Sequence, residues 1–276
     1  MRIARRSTPL CWRFCAGPII AVSLLGSCAT SLSPDRIAAI VASPDRSTAD
    51  LNNDLRRKPA ELLTFIGVRP GMVALDVSAG RGYTTELIAR AVGPTGRVYG
   101  QTAPRDGGRP APAQPEGAAT PAAPAAPAKT PPPALAERAR NPATSNIVPV
   151  VRRFDDPVPP ELAHAGLDLV TLIFNYHDLG YLGVDRARLN HAVFEALKRG
   201  GMYVIADHSG RSGTGISESG SLHRIEEAFV VTEVEAAGFR LAAQGNFMRN
   251  PADPRDRNTP EPAMPKDEFV LKFVKP

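Results

Sequence analysis

From residue 57 onward the chain alternates between two patterns of hydrophobic and polar positions. Short apolar runs bounded by glycine or proline, such as residues 72–77, are typical of buried parallel strands. Longer stretches with an apolar residue every three or four positions, such as residues 184–199, are typical of helices that pack on a sheet. The pattern predicts strands at residues 72–77, 97–101, 147–151, 167–174, 202–206, 239–243 and 268–274. It predicts helices at residues 60–68, 84–92, 134–140, 184–199 and 219–237.

The order of these elements indicates the fold class. Strands that alternate with helices through short connections are typical of an α/β protein with a doubly wound, largely parallel sheet. The last predicted strand follows its predecessor without a helix between them, so we expect it to run antiparallel. The sequence therefore predicts a seven-stranded, Rossmann-like α/β sheet with an antiparallel last strand.

One low-complexity segment interrupts this domain. Of the 28 prolines, 11 lie between Thr102 and Ala143, and residues 102–133 consist mostly of proline, alanine and glycine. Such a composition cannot bury enough apolar surface to fold, so we expect a disordered, extended insertion. The insertion follows the second predicted strand, and we therefore expect one interrupted domain over residues 57–276. Residues 28–56 form a polar lead-in to it.

The first 27 residues have the features of a leader. They carry no acidic residue, and an apolar stretch at residues 16–25 follows the arginines Arg2, Arg5, Arg6 and Arg13. A basic start, a short apolar core and small residues at the exit are typical of a secretory signal peptide. The segment Leu25-Gly26-Ser27-Cys28 resembles a bacterial lipobox, which favours a lipid anchor on Cys28, and cleavage after Ala29 is the alternative. We expect an exported protein, either periplasmic or lipid-anchored in the envelope.

Charge and cysteine content narrow the function classes. The formal net charge is +5, and the four leader arginines account for most of it, so the remaining chain offers no electrostatic case for nucleic-acid binding. The three cysteines are Cys11, Cys15 and Cys28, so no cysteine follows position 28. Disulfides, thiolate nucleophiles and cysteine-ligated zinc are thereby excluded from residues 29–276.

The connection after the first predicted strand carries the clearest chemical signal. Residues 75–83 read Leu-Asp-Val-Ser-Ala-Gly-Arg-Gly-Tyr and lead from a strand into a helix. Glycines let the backbone turn sharply and approach a ligand closely, and ligands bind at the carboxyl ends of strands in such sheets. A dinucleotide fingerprint would need a third glycine where Thr85 stands, and a phosphate loop would need Gly-Lys-Ser/Thr. A plain strand–helix turn without a ligand is the alternative.

This connection resembles the first motif of the class I S-adenosylmethionine-dependent methyltransferases. Asp76, Gly80 and Gly82 match the motif, and Ser78 replaces its first glycine. Further segments, at residues 57–63, 67–71, 82–87, 175–178, 207–209 and 249–254, are similar to those of a group of exported bacterial predicted methyltransferases. The resemblance covers residues 57–276 apart from the proline-rich insertion, and it implies the seven-stranded methyltransferase sheet.

The resemblance implies S-adenosyl-L-methionine as the cofactor and a set of residues that bind it. Asp76 would orient the turn and the methionine amino group. Gln101 stands where the family usually has an acidic residue for the ribose hydroxyls, so we expect weaker binding there. Asp155 follows the third strand, where the family contacts adenine, and a solvated loop is the alternative for Gln101 and Asp155. The implied cofactor-binding residues are Asp76, Ser78, Gly80, Gly82, Tyr83, Gln101, Asp155 and Asn175.

Polar residues at the ends of the fourth and fifth predicted strands are the candidates for catalysis. They are His177, Asp178 and His208. Methyl transfer needs an aligned nucleophile and, for a weak one, a base, and histidine ordinarily titrates near neutrality. Strand-end capping or cofactor contact is the alternative. These histidines with Asp178 and Asp207 would also allow a divalent metal, but their spacing is not diagnostic, so no metal ligand is assigned.

The other histidines are expected to lie outside the site. His223 falls within a predicted helix and is expected on a helix face, and His164 and His191 are expected at the surface. The sequence as a whole predicts a methyltransferase that acts on an unidentified small molecule or envelope component, with no nucleic-acid partner. The alternative is an exported non-catalytic binding protein that retains the fold, because S-adenosylmethionine is made in the cytosol and Ser78 and Gln101 depart from the motif. An NAD-linked oxidoreductase is disfavoured by the missing glycine.

Overall fold

A single mixed β-sheet of seven strands forms the centre of the structure, a computed structural model that describes residues 31–104 and 134–276. The strands are β1 (Val73–Val77), β2 (Arg97–Thr102), β3 (Ile147–Val151), β4 (Leu167–Ile173), β5 (Leu197–His208), β6 (Arg240–Gly245) and β7 (Glu268–Val274). The helices are α1 (Pro34–Val41), α2 (Thr48–Arg57), α3 (Pro59–Ile66), α4 (Tyr83–Val92), α5 (Leu135–Arg138), α6 (Tyr176–Tyr181), α7 (Arg186–Ala196), α8 (Ser219–Leu222) and α9 (Glu227–Ala236).

The strand order is β3-β2-β1-β4-β5-β7-β6. The strands from β1 to β5 pair in parallel, and β7 runs antiparallel to both of its neighbours. The predicted seven-stranded α/β sheet with an antiparallel last strand is confirmed. The chain winds outward in one direction from β1 and in the other from β4, so the carboxyl ends of β1 and β4 border the crevice where such sheets bind ligands.

Two apolar layers cover the sheet. One contains buried side chains of α1, α3 and α4, and the other contains those of α7 and α9. The lead-in contributes to the first layer, because Ile37 and Ile40 of α1 are buried in it. Residues 34–57 thus form two helices, of which at least α1 packs on the domain that follows.

Two of the predicted helices differ most from the structure, and α6 was not predicted. The helix predicted to end at residue 199 ends at Ala196, because Leu197 takes an extended conformation and pairs with Leu167 of β4. The pairing of β5 with β4 then shifts in register, and Gly200 donates its N–H to the carbonyl of Lys275. The helix predicted at residues 219–237 is divided into α8 and α9. The backbone of Ile225 pairs there with His208 and Gly210, and this pairing is incompatible with a continuous helix.

Several sequence predictions concern residues outside the described ranges. The leader, Cys28 and residues 105–133 of the predicted insertion are among them. Within residues 31–104 and 134–276, the helices are all too short or too polar to cross a membrane.

Candidate functional site

The turn between β1 and α4 is held in a left-handed backbone conformation at alternate positions. Ser78, Gly80 and Gly82 have φ values of 58°, 55° and 86°. Hydrogen bonds close the turn, from the N–H of Ala79 to the carbonyl of Gln101 and from the N–H of Gly82 to the carbonyl of Ala79. Glycine adopts this left-handed conformation freely, whereas serine adopts it only at an energetic cost. The surrounding structure therefore holds Ser78 in a conformation that it would not favour alone.

Asp76 lies buried at the base of this turn, with 2% of its surface exposed. Its carboxylate oxygens accept hydrogen bonds from the hydroxyl groups of Thr85 on α4 (2.6 Å) and Thr171 on β4 (2.7 Å). Burial raises the pKa of Asp76 to about 6, although both hydroxyls favour its charged form. A cation bound beside this carboxylate would therefore be stabilised by it.

Arg57, the last residue of α2, was not predicted as a site residue. Its guanidinium lies 4.3 Å from the centre of the Phe174 ring and 5.7 Å from that of Tyr83, and the residue is 8% exposed. Among the described residues, no carboxylate forms an ion pair with it. Burial lowers its pKa to about 10, so it stays charged at neutral pH. Residues 57–63 are among the segments that carry the family resemblance, but nothing in the sequence indicated a binding role for Arg57.

Gln101 and Ser78 join the turn to neighbouring strands. Gln101 is fully buried, its amide oxygen accepts from the N–H of Ser78 (2.8 Å), and its amide nitrogen donates to the carbonyl of Arg152 (2.6 Å). The Ser78 hydroxyl donates to the side-chain oxygen of Asn175 (2.6 Å). Gln101 thus ties the ends of β1, β2 and β3 together, and its contact with a ribose stays a prediction.

Tyr83 and Asp155 have other partners. The hydroxyl of Tyr83 donates to Asp54 of α2 (2.7 Å). Asp155 pairs with the guanidinium of Arg153 at 2.8 Å, and this hydrogen bond holds its pKa below the usual range. The structure therefore brings Asp76, Ser78, Gly80, Gln101 and Asn175 together, while the ion pair of Asp155 is local to its own loop. Its adenine contact stays a prediction.

His177 lies between two carboxylates. Its Nδ1 is 2.6 Å from Oδ1 of Asp207, its backbone N–H donates to Oδ2 of Asp207 (2.8 Å), and its Nε2 is 3.1 Å from Oδ1 of Asp178. Burial alone would lower its pKa, but the two carboxylates outweigh burial and raise the pKa to about 10. His177 is thus an imidazolium at neutral pH, which differs from the expectation of a base that titrates near neutrality.

His208 is in the opposite state. It is 1% exposed, stacks on Phe174 at 5.3 Å between ring centres, and lies 5.5 Å from the ring of His177. Burial, reinforced by the charge of Lys266, lowers its pKa well below the ordinary value. The structure therefore places a neutral imidazole beside a charged one at the carboxyl ends of β4 and β5.

His223 corrects a sequence prediction. It is the C-cap of α8, with φ 50° and ψ 50°, and is not a residue on the face of a continuous helix. Its Nδ1 lies 3.3 Å from Oδ1 of Asp178, and its ring stands edge-on to that of His177 at 5.5 Å. No local pattern signals this position, because it depends on the pairing that ends α8. His164 and His191 are exposed, as expected.

Sequence comparison finds no matching family model and no matching curated protein. Solved structures do match. A SAM-dependent methyltransferase from Aquifex aeolicus aligns over 89% of this chain and all of its own, with a TM-score of 0.53 and 16% identity. An arsenic(III) S-adenosylmethionine methyltransferase from Chlamydomonas reinhardtii aligns over 88% of this chain and 74% of its own, with a TM-score of 0.52 and 18% identity. The chain has the Rossmann-like methyltransferase fold.

A [4+2]-cyclase also aligns, over 80% of this chain and 83% of its own, with a TM-score of 0.52 and 15% identity. The methyltransferase fold therefore does not by itself determine the reaction, so the reaction has to be inferred from the residues of the site. At the turn after β1 they fit the amino-acid end of S-adenosylmethionine, because a buried carboxylate (Asp76) and a buried guanidinium (Arg57) match its ammonium and carboxylate groups. At the ribose end the fit is poorer, since both ends of the Gln101 amide are bonded to backbone.

Proposed function

We propose that this protein is an S-adenosylmethionine-dependent methyltransferase that acts on a small molecule or an envelope component. The observation that supports the proposal is the pair of buried, oppositely charged groups, Asp76 and Arg57, at the turn after β1. Burying an ionic group without a full ion pair is unfavourable. A zwitterionic ligand that pairs with both groups would offset that cost.

The residues of the turn would divide the binding of the cofactor between them. Asp76 would accept hydrogen bonds from the ammonium group, Arg57 would donate to the carboxylate, and the left-handed turn from Ser78 to Gly80 would let the backbone approach the ligand closely. Bound there, S-adenosylmethionine supplies an electrophilic methyl group on a positively charged sulfur. The protein aligns the acceptor with that methyl group and holds or accepts the acceptor's proton.

His208 fits the proton-accepting role better than His177 does. A general base has to be unprotonated, and His208 is neutral whereas His177 is an imidazolium between Asp178 and Asp207. Asp178 is joined to the cofactor turn through Asn175, whose side-chain nitrogen donates to it (2.7 Å). His177 and Asp178 would therefore position the acceptor, and His208 would take its proton.

Transfer of labelled methyl groups tests the proposal against its alternative, an exported binding protein that retains the fold. The buried amide of Gln101 favours that alternative, since it leaves the ribose without the usual acidic partner. The purified protein is incubated with methyl-labelled S-adenosylmethionine and fractionated envelope and small-molecule extracts. A transferase releases S-adenosylhomocysteine in step with labelled product. Tight cofactor binding with no release from any fraction would favour the binding protein.

Location in the envelope is a further part of the proposal, supported by the leader and the segment Leu25-Gly26-Ser27-Cys28. Replacing Cys28 by Ala should move the protein from the membrane to the soluble fraction, or block removal of the leader, because lipid is attached at that thiol. Affinity for S-adenosylmethionine should not change. A wild-type protein that fractionates as soluble would favour cleavage after Ala29 instead.

A further inference from the structure

We propose that His177, Asp178 and His223 bind a divalent transition-metal ion. Each residue offers one donor atom, and the donor atoms of the three residues lie within 4.8 Å of one another. Nε2 of His177 and Nδ1 of His223 both face Oδ1 of Asp178. The sequence allowed a metal near His177 and Asp178 but did not indicate His223, because His223 comes from the end of α8 and the other two from α6. The structure brings them together at the carboxyl end of β4.

The separations between the donor atoms match those of ligands that share one ion. Nε2 of His177 is 3.1 Å from Oδ1 of Asp178, and Nδ1 of His223 is 3.3 Å from the same oxygen. Two donors, each about 2.0–2.1 Å from an ion, stand about 3 Å apart at a right angle and slightly farther apart at a tetrahedral angle. An ion that displaces the Nε2 proton of His177 could therefore enter with little movement of the carboxylate between the two imidazoles.

Neighbouring groups hold two of the three ligands in place. Asp207 accepts at Nδ1 of His177 (2.6 Å), which leaves Nε2 to face Asp178. Asn175 donates to the other oxygen of Asp178 (2.7 Å), which leaves Oδ1 to face both histidines. A carboxylate behind a metal-binding histidine and a hydrogen bond to the metal-binding carboxylate are the usual supports of such sites.

The donor set indicates the class of ion. Two imidazoles and one carboxylate suit iron(II), zinc, cobalt or manganese, whereas magnesium and calcium prefer oxygen ligands alone. Three protein ligands leave coordination positions open, and the His223 side chain is 21% exposed, so the cluster is reachable from solvent. The ion would therefore be able to bind a second ligand.

The role of that second ligand rests on the proposed function. An acceptor hydroxyl bound to the ion would lose its proton more readily, and His208 would accept that proton. Its oxygen would then form a bond to the methyl carbon as the carbon–sulfur bond of the sulfonium breaks, which leaves a neutral thioether. Binding of the ion itself does not depend on the transferase reaction.

Titration with Co²⁺ tests the site. The purified full chain is freed of metal with a chelator and titrated with CoCl₂, and both heat and visible absorption are followed. We expect one equivalent to bind with the absorption bands of a nitrogen- and oxygen-ligated ion. His223→Asn should lower the affinity by about 100-fold or more, because even supporting residues account for 10- to 100-fold. Asparagine suits the left-handed backbone of residue 223, and Asp178→Asn is the second variant.

The control is His191→Asn, which removes an exposed histidine from α7 and should leave the titration unchanged. Cobalt bound by the leader cysteines instead would still bind to both His223→Asn and Asp178→Asn. Unchanged binding in both variants therefore overturns the proposal, and so does the absence of binding to wild type. If circular dichroism shows that one variant is unfolded, the other decides. A parallel titration with S-adenosylmethionine separates the two proposals, since either ligand can bind when the other does not.

Discussion

At the level of single residues, the proposed cofactor end of the site contains two buried charges, Asp76 and Arg57. Asp76 is in β1, just before the turn, Arg57 lies over the rings of Tyr83 and Phe174, and each favours the charged form of the other. The two groups do not form an ion pair with each other. The carboxylate accepts hydrogen bonds from Thr85 and Thr171, and the guanidinium lies over Phe174. We therefore expect both charges to be completed by a ligand.

Replacement of Arg57 by Met tests this view. Methionine retains much of the packing on Phe174 but cannot donate to a carboxylate, so we expect the affinity for S-adenosylmethionine to fall by about 10- to 100-fold, the usual worth of a hydrogen bond to a charged group. Binding of methylthioadenosine, which lacks the carboxylate, should be unchanged. The matched control is Arg36→Met, at an exposed arginine on α1. Equal losses for both ligands would indicate a structural role.

Cofactor affinity should also depend on pH through Asp76. Burial raises the pKa of this carboxyl to about 6, so it is ionised at pH 7 and becomes neutral as the pH falls below 6. A neutral carboxyl no longer attracts the ammonium group, and affinity should fall about tenfold per pH unit below that pKa. Isothermal titration between pH 5 and 8 measures the dependence. Asp76→Asn should flatten it, and a wild-type profile without a break near pH 6 would contradict the assignment.

Much of the cofactor end, but little of the histidine cluster, could be predicted from the sequence. Asp76, Ser78 and Gly80 belong to one short motif, so their relation is local and visible in the chain. Arg57 and His223 act only after α2 and α8 have packed against distant strands, and no local pattern carries that information. The charge states of His177 and His208 likewise depend on carboxylates and burial supplied by the fold.

Among the secondary-structure elements, α5 supports the turn between β1 and α4. Leu135 packs against the turn, and Arg138 donates to the carbonyl of Arg81 while it pairs with Asp50 and Glu86. The guanidinium and the Asp50 carboxylate are each 1% exposed. This short helix, the first element after residue 133, therefore joins α2 and α4 to the turn.

Two glycine replacements measure that support. Gly82 and Gly213 have similar φ values of 86° and 81°, but a Cβ at Gly82 would lie 2.7 Å from Cδ1 of Leu135, whereas a Cβ at Gly213 would meet nothing within 4 Å. Alanine at either position adds about 1–2 kcal/mol of backbone strain. Gly82→Ala should cost a further 1–3 kcal/mol or so, because Leu135 is also held against Gly100.

Urea unfolding gives the free energies of the two variants, and titration gives their cofactor affinities. Gly82→Ala should lose both stability and affinity, while Gly213→Ala should lose only stability. Equal unfolding free energies would show that α5 does not restrain the turn.

The hydrophobic pattern predicted the ends of some strands correctly but missed a break within a predicted helix. The strands β3 and β7 match their predictions residue for residue, because short apolar runs between polar breaks identify buried strands. The break between α8 and α9 was missed, since the apolar spacing of residues 219–237 continues through it. Backbone pairing of Ile225 with the segment after β5 overrides that spacing.

At the scale of the whole molecule, the sheet joins the two ends of the site. Hydrogen bonds run from Gln101 at the end of β2 to Ser78, and from Ser78 through Asn175 to Asp178. A ligand at the turn after β1 and an ion or acceptor at the histidine cluster would therefore share one network at the carboxyl edge of the sheet. Such an edge is where this class of sheet binds its ligands.

The central claim is that the turn after β1 binds S-adenosylmethionine, and calorimetric titration of the purified chain with this ligand tests it most directly. We expect one equivalent bound to wild type, competition by S-adenosylhomocysteine, and loss of binding in Asp76→Ala. The control variant Asp35→Ala, at an exposed aspartate on α1, should bind as wild type does, and circular dichroism should show that both variants are folded. The absence of heat with wild type at millimolar ligand, or equal affinity in Asp76→Ala, would contradict the claim.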